Sequence, residues 1–280
     1  MSIKLKIKHL VSFVLHGEKK PTIANITYLQ PNNQLKGKKI IITGGGRGLG
    51  FAMAKKFKTE GADVLIAGRN EQTLKSSAEE IGCMYLPIDV QDVDSFKTFI
   101  DDADKLLGGV NCLVNNAGIS HHEKGFLDVS VDQFDSQFDT NLKGPFFLTQ
   151  CFINKCNQNG DNVTKNILFT SSETSMTVDE RPYGLTKSAL NSLIQGIACR
   201  FVKDGFRINA IAPGITASEM TGFDPSGDLT LKINPTGRVY LPEEVAEIAS
   251  FLLSDASNCL NGQILYCNEG RTINTRWKSK

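Results

Sequence analysis

From Lys38 onward, short runs of consecutive apolar residues alternate with stretches whose apolar positions recur every three or four residues. The runs at Lys39–Thr43, Asp63–Ala67, Met84–Ile88, Cys112–Asn115, Asn166–Thr170, Arg207–Ala212 and Gln263–Cys267 predict strands. Continuous runs, in place of period-two alternation, mark parallel strands covered on both faces. The stretches between them predict helices over Leu49–Glu60, Glu71–Ile81, Val93–Leu107, Val131–Cys156, Tyr183–Lys203 and Pro242–Leu253. Gly61 follows the first as a C-cap, and Pro242 opens the last at a position that tolerates a missing N–H. Such alternation implies an α/β chain: one doubly wound parallel sheet of about seven strands, with right-handed crossovers and helices on both faces. Ligands of such a sheet sit beyond the C-terminal strand ends, near the topological switch point, so function is sought in the residues just after each strand.

Composition narrows this picture. In 280 residues there is no linker, repeat or low-complexity tract, so one domain is expected over residues 35–273, between an N-terminal extension, 1–34, and a tail, 274–280. Lys and Arg exceed Asp and Glu by 31 − 30 = 1, and the basic residues are scattered. That speaks against nucleic acid as the main partner while leaving room for a local phosphate pocket. Seven cysteines are an odd number in a chain too large to need staples. Cys83, Cys112, Cys199 and Cys267 lie in apolar stretches, where a reduced thiol behaves as a small hydrophobe. Cys151 and Cys156 lack metal-ligand spacing and have no His nearby, so no metal site is assigned. A reduced, cytoplasmic protein is the simplest reading. The segment Leu10 to Leu15 falls short of the about 7–15 apolar residues and cleavage site of a secretory signal. It is shorter still than the about 20 residues of a membrane span. An appended arm is expected there, with a weak amphipathic anchor as the alternative.

Candidate chemistry starts at the first strand, which runs into Thr43-Gly44-Gly45-Gly46-Arg47-Gly48-Leu49-Gly50 and then a helix. Glycines let the backbone approach a pyrophosphate, whose charge meets the free N–H groups of the helix start. The strand before and helix after are the context a Rossmann dinucleotide loop requires. The second strand ends Ala67-Gly68-Arg69-Asn70. An NAD site normally places an acid here for the ribose 2′-OH. Its absence, with Arg69 and Arg47 available for a 2′-phosphate, favours NADP over NAD. Tyr183 and Lys187 lie four apart at the start of a predicted helix, hence on one face, and form the only Tyr-x-x-x-Lys pair in the chain. A neighbouring ammonium favours the phenolate and draws a phenol near pKa 10 toward working pH.

The Gly-x-x-x-Gly-x-Gly spacing behind Thr43, followed by Asn115-Asn116-Ala117-Gly118 and Tyr183-Gly184-Leu185-Thr186-Lys187, resembles the short-chain dehydrogenase/reductase family. Its enoyl-reductase and extended branches show other spacings. The resemblance covers roughly residues 35–273 and leans toward 3-oxoacyl-carrier-protein-reductase-like members. It implies an oxidoreductase interconverting a carbonyl and an alcohol with NAD(P), Tyr183 acting as acid or base and Lys187 holding the nicotinamide ribose. It also implies that Gly44, Gly46, Arg47, Gly48 and Leu49 hold the phosphates, and that Asp89, Val90, Asn116 and Gly118 line the adenosine side while Asn115 braces the sheet. Pro213 and Gly214 would face the nicotinamide carboxamide, with Ser218 near it. Ser172 matches the second Ser of the family's Ser-Ser pair and would bond the substrate oxygen. It stands 11 residues before Tyr183, where the family commonly has about 13, a loop-length change of the kind surfaces tolerate. Ser171 therefore stays a second candidate. Asn141 resembles the helix Asn that holds a proton-relay water. Thr216–Thr236 resembles a mobile substrate lid, and Asn268-Glu269-Gly270 replaces an expected Asp-Gly-Gly, a departure read as bearing on subunit contacts.

The substrate is not legible. His121 and His122, Thr174, Met176 and Thr177 fall in pocket-forming loops, but a solvated loop explains the His pair as well. A small-molecule carbonyl or alcohol is the expected partner, and a homotetramer, or a homodimer, through the helices Val131–Cys156 and Tyr183–Lys203 is what the family implies. Two alternatives stand: an NAD(P)-linked sugar, polyol or steroid alcohol dehydrogenase, and a non-catalytic NADPH-binding scaffold.

Overall fold

A computed structural model of the chain describes residues 33–160 and 163–273. The expectations for an N-terminal arm, apart from Asn33 and Gln34, and for the tail 274–280 lie outside the described residues. The strands are β1 (Lys39–Thr43), β2 (Asp63–Gly68), β3 (Met84–Pro87), β4 (Cys112–Asn115), β5 (Lys165–Thr170), β6 (Phe206–Pro213) and β7 (Ile264–Cys267). All pair in parallel, in the order β3-β2-β1-β4-β5-β6-β7. The connection reverses direction between β1 and β4, so the crevice at their C-terminal ends is the switch point where a ligand is sought.

Alternate residues of each strand face opposite layers, and both layers are apolar. On one side Ile41, Leu65, Leu113, Ile167 and Ile208 pack with Phe96, Phe152, Leu190 and Ile194. On the other, Ile40, Ile42, Ile66, Val114 and Leu168 pack with Met53, Phe57, Val245 and Leu252. Full burial of each such side chain contributes roughly 1.5–3 kcal/mol, which is why the continuous apolar runs fold as a two-sided sheet. The helices that cover it are α1 (Gly48–Thr59), α2 (Glu71–Ile81), α3 (Phe96–Leu107), α4 (Val131–Phe138), α5 (Gly144–Asn159), α6 (Pro182–Phe201) and α7 (Pro242–Leu253). The segment 216–241 has a small core of its own, Ala217, Leu229, Val239 and Leu241. Isolated bridges Thr216–Tyr240 and Thr230–Arg238 tie it together.

Two expectations are corrected. The single helix expected over Val131–Cys156 is α4 and α5 joined by a π turn, Asp139–Lys143, in which Gly144 N–H donates to the Asp139 carbonyl. The cause is local. A Cβ on Gly144 would lie 2.2 Å from the Val90 carbonyl oxygen, so only glycine lets the chain pass so close. The next residue, Pro145, has no N–H to give the Asn141 carbonyl four residues back. Cys199, read as a small core hydrophobe, is exposed, whereas Cys112 is fully buried. Apolar neighbours in sequence do not place a helix residue, because the face it occupies depends on its phase.

Candidate active site

The loop after β1 is built to admit something that is not protein. Gly44 and Gly48 hold left-handed backbones, with φ of 65° and 54°. A Cβ on Gly50 would lie 2.1 Å from the Gly44 carbonyl oxygen, so the loop folds back on the first turn of α1 and tolerates no side chain there. Arg47 occupies the N-cap of α1 without a side-chain cap, and no acidic residue stands in the first turn. The N–H groups of that turn thus meet no carboxylate or capping oxygen from their own chain segment, the arrangement that suits a phosphate. Gly46 packs beside Thr73, and its carbonyl accepts from Ser77 Oγ at 2.7 Å, which fixes the loop to α2. Leu49 is half-buried at the start of α1. These residues fit a dinucleotide.

The charged residues behave differently from expectation. Arg47 is ion-paired with Glu219, and Arg69 is exposed, with no ion pair among the described residues. The two guanidinium groups are thus not gathered around a preformed pocket: one is engaged by the segment 216–236. His122, in a left-handed backbone of φ 54°, makes a second tie to that segment, its Nε2 lying 2.8 Å from the Met220 carbonyl oxygen. His121 instead pairs with Ser136 Oγ at 2.8 Å. After β3, Asp89 Oδ1 accepts from Gln91 N–H at 3.0 Å, and Val90 is buried.

Asn116 is a brace as much as a lining residue. Its Nδ2 donates to the carbonyls of Thr43 and Gly44 at 3.0 and 3.2 Å, while its Oδ1 accepts from Thr170 Oγ1 at 3.2 Å. Its side chain therefore sews the phosphate loop to β5, and only its outer edge remains for an adenosine. Asn115, as expected of a sheet brace, donates to Thr149 Oγ1 at 2.9 Å. Thr43 completes the stitch, its Oγ1 accepting from the N–H groups of Asn116 and Ala117 at 3.1 Å each. Gly118 lies close against the site: a Cβ there would be 3.3 Å from Asn141 Oδ1 and 3.7 Å from Lys187 Nζ. After β6, a Cβ on Gly214 would meet the Tyr240 ring at 2.7 Å, and Pro213 is buried in the strand. Ser218 Oγ stays local, donating to the Thr216 carbonyl at 3.4 Å.

Ser172, Tyr183 and Lys187 come together at the end of β5. Tyr183 and Lys187 share one face of the first turns of α6, with Nζ 5.6 Å from the phenol ring centroid. Lys187 is buried and donates to the Thr170 carbonyl at 2.8 Å. Burial lowers its pKa to about 8. Burial raises the pKa of Tyr183, a hydrogen bond from Ser172 pulls it down, and the charge of Glu173 pushes it up. The balance is upward, so the lysine does not by itself bring the phenol toward neutral pH: desolvation outweighs the favourable partner. Ser172 Oγ accepts from Thr174 N–H at 3.2 Å and from Thr174 Oγ1 at 3.0 Å, which leaves its own proton to point at Tyr183. Ser171 turns the other way and donates to Asn191 Oδ1 at 2.6 Å.

Asn141 sits in the π turn, a feature that often marks functional positions. Its carboxamide is fully engaged: Oδ1 accepts from Ile119 N–H at 2.9 Å, and Nδ2 donates to the Ile119 carbonyl at 2.9 Å and to Thr186 Oγ1 at 3.3 Å. What it can offer is its main-chain carbonyl, which Pro145 leaves without a donor at the usual helical spacing.

With the geometry in place, comparison with known proteins decides the family. A family model described as enoyl-(acyl carrier protein) reductase matches residues 44–272. Gluconate 5-dehydrogenase of Gluconobacter oxydans is 32% identical over 248 residues, covering 85% of this chain and 96% of that protein. The 3alpha-hydroxysteroid dehydrogenase of Mediterraneibacter gnavus is 33% identical, covering 82% and 95%. The chain belongs to the short-chain dehydrogenase/reductase family.

Among solved structures, the 3-ketoacyl-(acyl-carrier-protein) reductase of Brucella melitensis, complexed with NADH, superposes with a TM-score of 0.80 at 28% identity, covering 85% of this chain and all of that one. As a member of the short-chain dehydrogenase/reductase family, the protein is an oxidoreductase acting on CH–OH or C=O groups with NAD(P). Among the described residues no helix is long and apolar enough to cross a membrane, and no group of three or more His, Cys, Asp or Glu could hold a metal ion.

Sequence reasoning missed Glu173 and Arg271. Glu173 is the single charged residue between Thr170 and Val178, directly after Ser172, and it is buried. Its Oε1 accepts from Arg271 Nη1 at 2.8 Å and its Oε2 from Asn268 Nδ2 at 3.2 Å. A lone acid beside the family's Ser was the available signal. Its partners lie almost 100 residues away and could not be named from spacing. Asn268 and Glu269, the departure from Asp-Gly-Gly, are both engaged within the chain, Glu269 accepting from Thr236 N–H at 3.1 Å.

Proposed function

We propose that the protein is an NADPH-dependent reductase that converts a ketone of 3-oxoacyl type to an alcohol, with Tyr183 as general acid. The observation that carries this reading is the convergence of Ser172, Tyr183 and Lys187 at the C-terminal end of β5, beside Gly118. The nicotinamide would supply the hydride. Tyr183 Oη gives its proton to the developing alkoxide. Ser172, held acceptor-side by Thr174, donates to the same oxygen. Lys187 spends one proton on Thr170 and keeps two for the nicotinamide ribose and a relay. The relay water is held by the Asn141 carbonyl, not by its side chain.

The cofactor-binding residues are Gly44, Gly46, Arg47, Gly48, Leu49, Arg69, Asp89, Val90, Asn116, Gly118, Pro213, Gly214 and Ser218, together with Tyr183 and Lys187. NADPH is favoured over NADH by the absence of an acid at Gly68 and Arg69. The Gly44-x-x-x-Gly48-x-Gly50 spacing favours carbonyl over enoyl reduction, because the enoyl-reductase branch shows other spacings. Residues 216–236 serve as the lid, tied at Glu219 and Met220 to the loops on either side of the cleft. Exposed apolar side chains Val131, Phe134 and Phe146 on α4 and α5, with Leu185 on α6, support a homotetramer built on those helices. A cytoplasmic location is part of the same reading.

A second reading, an NAD(P)-linked sugar, polyol or steroid alcohol dehydrogenase, draws on the gluconate and steroid relatives and on Arg47 being engaged by Glu219. The non-catalytic scaffold draws no support, since the Ser172, Tyr183 and Lys187 set is assembled. A panel of ketones, 3-oxoacyl thioesters, sugar acids and steroids, run with NADPH and NADH and with Tyr183→Phe as control, tests the reading. NADPH-dependent loss of carbonyl, abolished in the variant, is the expected result. Turnover confined to alcohols with NAD would replace it with the second reading.

A further inference from the structure

The carboxylate of Glu173 is an expensive thing to bury, and the proton-transfer step described above makes no use of it. It lies on the 3-10 turn Glu173–Met176, whose N-cap is Ser172, so the same turn that orients the Ser172 hydroxyl carries a negative charge directly behind it. Two donors fix that charge from the segment after β7, Arg271 and Asn268. Arg271 Nη1 also reaches Asn234 Oδ1 at 3.2 Å, and Asn234 Nδ2 donates to the Arg238 carbonyl at 2.6 Å. The C-terminal segment thus meets the Ser172 turn at this carboxylate and the far end of residues 216–236 through Arg271. Removing one partner of a buried, paired charge is costly, so a chain that keeps such a pair beside its reacting phenol holds the charge in a fixed place.

We propose that Glu173, locked by Arg271 and Asn268 on the turn capped by Ser172, is a positioning residue that holds a fixed negative charge behind Ser172, the hydrogen-bond partner of Tyr183. The proposal rests on the reading of Tyr183 as the acid–base group. Charge is available from several directions. Lys187 faces the Tyr183 ring on α6, and Asp179 packs under Gly184 at the start of the same helix. Arg271 faces Glu173 from the C-terminal segment, and Tyr240, with Arg238 stacked 5.9 Å from its ring and Glu269 beside it, faces it from the end of the lid. Of the charged groups, Glu173 is the one whose field raises Tyr183. Like charges disfavour each other's ionised form, and the guanidinium of Arg271 offsets part of that field.

The two partners should therefore move Tyr183 in opposite directions, which a purely structural pair would not do. Full-length, cofactor-free protein labelled with 13Cζ-tyrosine is titrated by NMR, with the Tyr183 resonance assigned by its loss in Tyr183→Phe. In Glu173→Gln, which keeps the shape and an acceptor but removes the charge, the Tyr183 midpoint falls by about half a unit or more. In Arg271→Ala it rises, because the guanidinium that offsets part of the Glu173 field is lost. Midpoints that stay put in both variants, or move the same way, overturn the proposal. If Glu173→Gln does not fold, Arg271→Ala decides alone, a rise supporting the proposal and no rise overturning it. The titration needs neither substrate nor cofactor, so loss of the catalytic reading in the carbonyl panel would be seen separately.

Discussion

Arg47 of the phosphate loop forms an ion pair with Glu219, 172 residues further along the chain. Both side chains are 73% exposed, so the pair is a weak tie between the loop after β1 and residues 216–236 rather than a structural fastening. Under the NADPH reading, a 2′-phosphate would compete for the same guanidinium. Glu219→Gln should therefore tighten NADPH binding by about two- to fivefold and leave NADH unchanged. The gain should shrink as salt is added, because exposed charges are screened. Fluorescence titration with both cofactors at two ionic strengths checks this, and an equal gain for NADH would show that Glu219 acts by lid closure alone.

The two adjacent serines should separate cleanly. Ser172 is hydrogen-bonded to Tyr183, and Ser171 donates to Asn191. Ser172→Ala is expected to lower kcat by about 10²–10³-fold with little change in KM, the cost of losing a donor to a developing oxyanion. Ser171→Ala should retain most of the activity and lose stability instead, by about 1 kcal/mol for one hydrogen bond. Reversed effects in steady-state kinetics would transfer the role to Ser171.

Much of the fold was legible because it is written in local pattern. Seven apolar runs became seven strands with no boundary shifted by more than one residue, since a two-sided sheet needs unbroken apolar runs. The placement of the glycine loop after β1 and of Tyr183 and Lys187 on one face of α6 was legible too, since both are compact motifs tied to one strand end or one helix turn. The π turn at Asn141 was not, although Gly144-Pro145 stood in the sequence. A π turn adds one residue to a helical turn without breaking the run of helix-forming residues, and the contact that forces it, Val90 against Gly144, is long-range. Tertiary partners were equally out of reach: Glu219 for Arg47, Ile119 for the Asn141 carboxamide, and Arg271 for Glu173.

Lys187 should cost stability in exchange for function. Its folded pKa of about 8 lies below the ordinary lysine value of 10.5. Between those values the unfolded chain binds more protons, so stability rises with pH across that window and the cost of burying the ammonium is fully present below it. Lys187→Met should therefore be inactive yet more stable at pH 7, by about 1–3 kcal/mol after losing the bond to Thr170. The difference between wild type and variant should close as pH is raised from 8 toward 10. Urea melts at three pH values read it. A constant difference would mean that packing, not charge burial, sets the effect.

The central claim is a nicotinamide enzyme selective for the 2′-phosphate, and it is tested most directly by fluorescence titration of wild type and Arg69→Ala with NADPH and NADH. A preference for NADPH in the wild type that falls by about tenfold in Arg69→Ala, with NADH unchanged, is expected for loss of one charge-assisted contact. Equal affinity for the two cofactors, indifferent to the substitution, would contradict the claim and leave the NAD-linked alcohol dehydrogenase as the standing reading.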